Sequence, residues 1–587
     1  MGKNSLNLFS MSSKSLVLSA IVMLFVNVSL FAQDDDNLGT EVIDVVKPYT
    51  PSISDAFKVK ETPELTDSIT TTKKGVKYNI FSVPVASTFT PAKGSAADVE
   101  KSKPPTLFEN YATLGFGTFT SALAELYSNI EVSRTDNFGV FLRHNSSQGG
   151  ISDLLIENKF YDTSLDLNYA SRQEEVAFWG DVGVKHQLFN WYGLNPIFNM
   201  DATPGFLAGI DPEQNYTSFY VGGGVEPEDL FIKKAAAKIQ FLSDSFSSSE
   251  VNITAVPEFS FPVNNLDVTV KGDLNYVSGN FARDYFNVME IKYSHFNIGV
   301  APAIQYEDRE LTLSLGVATY LNVDSENSDT NFFIYPVING SYRLVDELLI
   351  AYGGVEGGLQ QNTYYDFKEE NPFVSPTNMI LPTNQVFNAF GGVKGRLSNS
   401  VGYNVRASYG KEENKALFVL NPYRGMISDA QGYELGNSFG VVYDEVNVFQ
   451  LFGELKVEIS ENFSLGVNGS YNSYDTTDQA QAWNLPDVKA SVFSNFTVAE
   501  KFFGGASIFI VGQRQALFTD MVGPTTTQEI TLDSYIDANL HLGYRFTDRL
   551  NFFVKGSNLL DDGYQKWQNF PVQGIQALLG ATYQFDW

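Results

Sequence analysis

From about residue 109 to its C-terminus, this 587-residue chain is a succession of short segments in which apolar and polar residues alternate. In Leu311–Leu321, Leu311, Leu313, Leu315, Val317 and Leu321 fall on one side, and Thr312, Ser314, Gly316 and Ala318 on the other. In Leu266–Tyr276, Leu266, Val268, Val270 and Leu274 oppose Asp267, Thr269, Lys271, Asp273 and Asn275. Period two marks an extended strand, whose successive side chains point to opposite faces. A soluble sheet shows the same pattern, but soluble sheets rarely continue this far without helices. After residue 32 no apolar run is long enough for a membrane helix. The fold class expected is therefore all-β: a transmembrane antiparallel β-barrel, its charged strand faces lining a hydrated interior. The 47 Phe and 30 Tyr suit the aromatic girdles of such a barrel.

Connection lengths alternate as well. Tight turns are expected at Thr135-Asp136-Asn137, Asn264-Asn265, Glu307-Asp308-Arg309, Asp346-Glu347, Ser398-Asn399-Ser400, Ser460-Glu461-Asn462, Ala499-Glu500-Lys501 and Thr547-Asp548-Arg549. Longer connections lie between them at 147–159, 190–214, 279–290, 364–383, 414–445, 516–531 and 560–575. Outer-membrane barrels have short periplasmic turns and longer outside loops, so the alternation orients the barrel. Ser438–Tyr443 breaks it if read as a separate strand. Read as loop, or as an extension of its neighbour, it leaves about 22 strands with both termini periplasmic, 20 and 24 being the adjacent even counts. The chain closes on one more alternating stretch. Leu579, Ala581, Tyr583, Phe585 and Trp587 form one side, and Gly580, Thr582, Gln584 and Asp586 the other. Tyr583, Phe585 and Trp587 are expected to face lipid and to form the C-terminal signal that outer-membrane assembly machinery pairs with by strand addition.

Met1–Ala32 reads as a secretory signal, with Lys3 and Lys14 ahead of an apolar core, Leu16–Phe31, and Ala32 at the cleavage point. Three domains follow: signal 1–32, an extended periplasmic or lumenal segment 33–105, and the barrel 106–587. Pro48, Pro51, Pro63, Pro84, Pro91, Pro104 and Pro105 keep the middle segment extended. Cysteine is absent, which excludes a disulfide scaffold, thiolate metal sites, a cysteine nucleophile and a lipidated N-terminal cysteine. Formal net charge is −29, becoming −31 once Lys3 and Lys14 leave with the signal. So acidic a chain does not suit nucleic acid.

Neither a cofactor nor a metal site is expected, and no catalytic residue is assigned. The four histidines, His144, His186, His295 and His541, have no metal-ligand spacing with one another. His541 shares an inward line with Asp533, Asp537, Asn539 and Arg545, for which a hydrated lumen lining is preferred to a catalytic cluster. Asp34, Asp35 and Asp36 read as a solvated acidic stretch, since no glycine-turned calcium loop follows. Nucleophile elbow, phosphate loop and dinucleotide fingerprint are all missing. Two long loops are unusually apolar: Asn190–Asn215, with Trp191, Tyr192, Phe198, Phe206 and Ile210, and Tyr364–Asn384, with Phe367, Phe373, Met379, Ile380 and Leu381. Such loops either fold inward over the lumen or present a surface to a partner, and inward folding is preferred.

The stretch VKGSNLLDDGYQ, Val554–Gln565, is followed by a loop with Pro571 and Gly574 and then by the aromatic last strand. It resembles the last two strands of TonB-dependent outer-membrane receptors of Bacteroidota type, with Asn558, Leu559, Asp561, Tyr564, Pro571, Gly574 and Phe585 at matching places. Ile575 stands where those receptors carry arginine. The resemblance spans roughly 109–587 and implies a multi-pass barrel in a Gram-negative outer membrane. It also implies a folded plug ahead of the barrel, and the Pro-rich segment 33–105 has no globular apolar pattern to supply one. Within that segment Glu41–Tyr49 resembles the box through which such receptors pair with TonB; Glu41, Val42, Ile43, Asp44, Val45 and Val46 are the candidate partner strand.

The functional expectation is a non-catalytic, plug-less subunit or scaffold of a larger outer-membrane complex for protein assembly, secretion or surface lipoprotein handling. Its partners would be outer-membrane lipid, assembly machinery, and other outer-membrane proteins or surface lipoproteins. The alternative is a channel or TonB-linked transporter for nutrient uptake. A wide barrel left open would leak, so either reading requires something to close it.

Overall fold

Strand alternation leads in the computed structural model to a closed wall. Residues 108–586 are described, apart from 195–208, 210, 229, 264–265, 426–429 and 522–523. They form a 22-stranded antiparallel sheet in which the first strand, Asn110–Gly117, pairs with the last, Gln576–Phe585. Closure matters energetically. In hydrocarbon no water is available to an unpaired backbone group, so only a wall without edges can cross.

Outward side chains are apolar and exposed, as lipid requires. Leu315 and Val317 lie on one strand, Val405 on another, and Leu579 and Tyr583 on the closing strand. Inward neighbours are polar and buried or half-buried: Thr269 and Asp273 beside outward Val268 and Leu274, and Asn322 beside Leu321. The inward Tyr320 hydroxyl donates to Asp273. Thr582 on the closing strand meets Thr113 of the first strand across the seam at 2.9 Å.

The segment that disturbed the strand count is a strand extension. Phe439 opens a strand of 22 residues, Phe439–Ser460, whose first residues pair with Phe418, Val419 and Leu420 of the 20-residue strand Val401–Leu420. A tilted strand needs about 9–11 residues to span a bilayer, so these strands carry the wall well beyond the membrane on the outer side. Periplasmic turns fall close to expectation. The first is shifted: Val132 bonds to Asp136, and Asp136 already opens the next strand. Asn264-Asn265 lies outside the described residues. Expected loop 516–531 is a hairpin standing outside the wall, Arg514–Asp520 paired with Thr526–Leu532.

Several inward aromatics lie over a facing glycine. Tyr220 stands directly opposite Gly183, and a Cβ on Gly183 would sit 2.2 Å from the Tyr220 ring. The same pairing recurs at Trp179–Gly224, Tyr320–Gly299, Tyr293–Gly279, Tyr352–Gly392 and Phe503–Gly543. The aromatic ring covers the neighbouring glycine backbone.

Candidate functional site: the inward-folded outer loops

The site begins with the sequence Thr363-Tyr364-Tyr365-Asp366-Phe367-Lys368-Glu369-Glu370. The Thr363 side chain accepts from the Asp366 N–H at 2.9 Å, and helix α1, Tyr364–Glu370, follows. This is ordinary N-capping. The first helical N–H groups have no intrahelical acceptor, and here the wall supplies one. Buried Glu250, on strand Ser249–Val263, accepts from the Tyr364 N–H at 2.7 Å, the Tyr365 N–H at 3.0 Å and the Tyr293 hydroxyl at 2.6 Å. The Tyr364 hydroxyl donates to Asp244 at 3.0 Å.

The other end of α1 docks on strands further round the wall. Lys185, on Val176–Asn190, reaches both Glu369 oxygens at 2.9 and 3.0 Å. Lys368, fully buried, lies 2.5 Å from the Gln187 Oε1, contacts Glu369 at 2.5 Å, and sits 4.2 Å from the Tyr365 ring centroid. Burial pulls the Lys368 ammonium down to about 8, against the upward pull of Glu369. Burial opposes ionisation of Glu369, but Lys368 and Lys185 outweigh it and hold its carboxyl below the ordinary range. The loop itself springs from strands Leu349–Gln360 and Thr383–Ser398. It therefore crosses the outer mouth as a strap. Its returning arm is fixed by His295, whose Nε2 lies 3.0 Å from the Ile380 carbonyl, and by the Tyr443 hydroxyl, 3.0 Å from the Leu381 N–H.

Other outer loops meet the strap from around the rim. Phe373 stacks on Phe570 at 3.8 Å, and Tyr192 packs edge-on to both. Trp567, Phe418 and Phe439 extend the same cluster, down to inward wall residues Tyr216, Leu242 and Val277. A large apolar side chain contributes about 1.5–3 kcal/mol when fully buried, so this layer holds the loops in. A second anchor is ionic. Glu434, whose side chain has no exposure, is held by Arg283 and by Arg424 at 2.9 Å. Arg424 also donates to the Tyr285 and Phe286 carbonyls at 2.8 and 3.0 Å. Asn437 ties this loop to the Trp191 carbonyl at 2.8 Å.

The C-terminal motif is part of the same structure. Buried Asn558, in left-handed conformation with φ 48°, donates to the Gln573 carbonyl at 2.8 Å. Tyr564 stacks on Tyr535 at 3.8 Å, and Asp561 accepts from the Ile575 N–H at 3.2 Å. A Cβ on Gly574 would sit 2.9 Å from the Asp561 carboxylate. These residues brace the last loop. Ile575, at the family's arginine position, is exposed.

The expected inward folding of the apolar loops is observed: Trp191, Phe367 and Ile380 are buried, while Met379 stays exposed. Phe198, Phe206 and Ile210 lie outside the described residues. The line of His541 is not gathered into one cluster. Asp533 is exposed, and Arg545 donates to the Glu500 carbonyl at 2.5 Å. Among the described residues no group of three His, Cys, Asp or Glu could hold a metal. Tyr583 is outward and stacks with Phe585 at 6.0 Å. Trp587, the Glu41–Val46 strand and Asp34–Asp36 lie outside the described residues.

Sequence reading missed Glu250, Lys185, Lys368, Glu369 and Glu434 as site residues, and it missed helix α1. Only the cap was legible, as Thr363 and Asp366 three residues apart within an apolar loop. The partners are far apart in the chain.

No protein-family model and no curated relative matches the sequence. Solved structures do match. The ferric-catecholate import receptor Fiu of E. coli K12 superposes with a TM-score of 0.58 at 11% identity, over 82% of this chain and 83% of that one. The siderophore receptor PirA of Acinetobacter baumannii gives 0.59 at 11%, over 82% and 81%. The iron transporter FrpB of Neisseria meningitidis gives 0.59 at 9%, over 82% of each. The fold is that of an outer-membrane receptor barrel. The protein is accordingly a multi-pass β-barrel of the Gram-negative outer membrane, the barrel as the strand pattern implied and the membrane as the family resemblance implied.

Proposed function

We propose that the chain is a gated conduit for uptake of a small ligand across the outer membrane, with its outer loops as the gate. The observation that carries this is the closure itself. Loops from separate parts of the wall meet over a polar interior and are pinned there by buried carboxylates. The scaffold reading drew on the expected lack of a plug and on the apolar loops, and among the latter Trp191, Phe367 and Ile380 pack against other loops and the wall. Proteins of similar fold named as import receptors and metal transporters add support. On this reading Met1–Ala32 directs export. Residues 33–105 serve at the periplasmic side or within the barrel in place of a plug. Glu41–Val46 pairs with TonB by strand addition, and Tyr583, Phe585 and Trp587 engage the assembly machinery.

The test is ion conductance in planar bilayers together with uptake in cells. The full chain should be closed. Loss of residues 361–382, alone or with residues 33–105, should give large, stable conductance, and uptake should fail without Glu41–Val46. Closed channels in every variant, with stoichiometric outer-membrane partners on purification, would return the scaffold reading.

A further inference from the structure

The contacts at the end of α1 have the form of a binding site filled by the protein's own side chain. Two lysines from different elements converge on one carboxylate, Lys185 from the wall and Lys368 from the strap. Both ammonium groups have supports other than Glu369. Lys368 lies on the Tyr365 ring and on Gln187, which donates to Asp162 at 2.9 Å, and Lys185 lies 3.6 Å from Asp162. The cradle therefore persists if Glu369 leaves. Glu369 is free to leave: its side chain is 27% exposed, whereas that of Glu434 has no exposure. Its position also favours departure, since a carboxylate in the last turn of a helix opposes the helix dipole. Asp162 and Lys185 are 35% and 24% exposed, so the cluster is not sealed from the interior. The site faces the interior, beyond the reach of lipid headgroups.

We propose that Glu369 holds the place of an oxyanion group, carboxylate or phosphate, on a small incoming solute, and that the solute, on exchanging with it, bridges the docked strap and the wall through the same two lysines. The inference deepens the transport reading and rests on it for its consequence: the ligand is held by its own charge beneath the gate.

The chain has no cysteine, which suits distance measurement between introduced spin labels. Labels at Glu370→Cys, the last residue of α1, and Glu174→Cys, in an exposed periplasmic turn, report strap position in the full-length protein in micelles. In chloride buffer one distance population is expected. Adding Glu369→Ala should produce a second population in chloride, and inorganic phosphate at equal ionic strength should suppress it by bridging the two lysines. Calorimetry should show Glu369→Ala binding inorganic phosphate at least tenfold more tightly than the parent, and Glu369→Ala/Lys185→Ala losing that gain. A second population in Glu369→Ala that phosphate does not suppress, or distances unchanged by Glu369→Ala, overturns the proposal whatever the isotherm shows, and so does the absence of a gain in phosphate binding. Neither readout involves uptake or conductance, so failure here is distinguishable from failure of the transport reading.

Discussion

Removal of the Glu250 carboxylate should undock the strap without unfolding the barrel. In Glu250→Ala, three buried donors lose their acceptor: the N–H groups of Tyr364 and Tyr365 and the hydroxyl of Tyr293. A buried donor left without its acceptor costs about 1–3 kcal/mol, and water entering the vacated space recovers part of the loss. We therefore expect about 3 kcal/mol of local destabilisation, or about a hundredfold in the opening equilibrium of α1. Hydrogen exchange with mass spectrometry reads this at the Phe367 and Asn371 amides, which bond to the Thr363 and Phe367 carbonyls at 3.1 and 2.8 Å. Glu250→Gln, which keeps one acceptor oxygen, should fall between parent and alanine variant. Wall strands such as Leu311–Asp324 should exchange as in the parent. Parent-like protection of residues 363–371 in Glu250→Ala would refute the reasoning, because it would mean that apolar packing alone holds the helix.

Gly183→Ala should lower the urea midpoint of the folded barrel by about 1–3 kcal/mol equivalent, since the new Cβ meets the Tyr220 ring at 2.2 Å. Gly466→Ala, where a Cβ meets nothing within 4 Å, serves as the control and should be near neutral. Glu434→Gln leaves Arg283 and Arg424 facing a neutral amide. It should cost the loop about 3–5 kcal/mol, read as at least tenfold faster protease nicking within 421–438. Acidification should remove the Glu369 share of strap docking. Glu369 has a lowered folded pKa, so its contribution is full above the ordinary glutamate value and is lost as pH falls through the lower folded value. Hydrogen exchange of α1, corrected for intrinsic rates, should therefore show a protection difference between parent and Glu369→Gln at pH 6 that shrinks towards pH 3.

The wall was legible in the sequence because its determinants are local. Alternation in Leu311–Leu321 states which side chains meet lipid, and turn spacing states where each strand reverses. At Ser438–Tyr443 a counting argument left loop and strand extension open, and the structure shows the extension. Asn558, Tyr564 and Gly574 were legible as a motif, although their work in bracing one loop was not. The gate was not legible, for a physical reason. Glu250 meets Tyr364, Lys185 meets Glu369, and Trp191 meets Asn437 only after the wall has closed and brought distant rims together.

Closure of the outer mouth over a polar interior is tested most directly by thiol labelling of intact cells. A cysteine at Lys238, a solvated position on the inward face of strand Ile232–Asp244, lies below the loop layer. One at Met289, an exposed outer-loop residue, lies above it. With a bulky, membrane-impermeant maleimide, Met289→Cys should label readily and Lys238→Cys at least a hundredfold more slowly, the difference vanishing when residues 361–382 are removed. Equal labelling of the two positions in the otherwise unaltered protein would contradict the account.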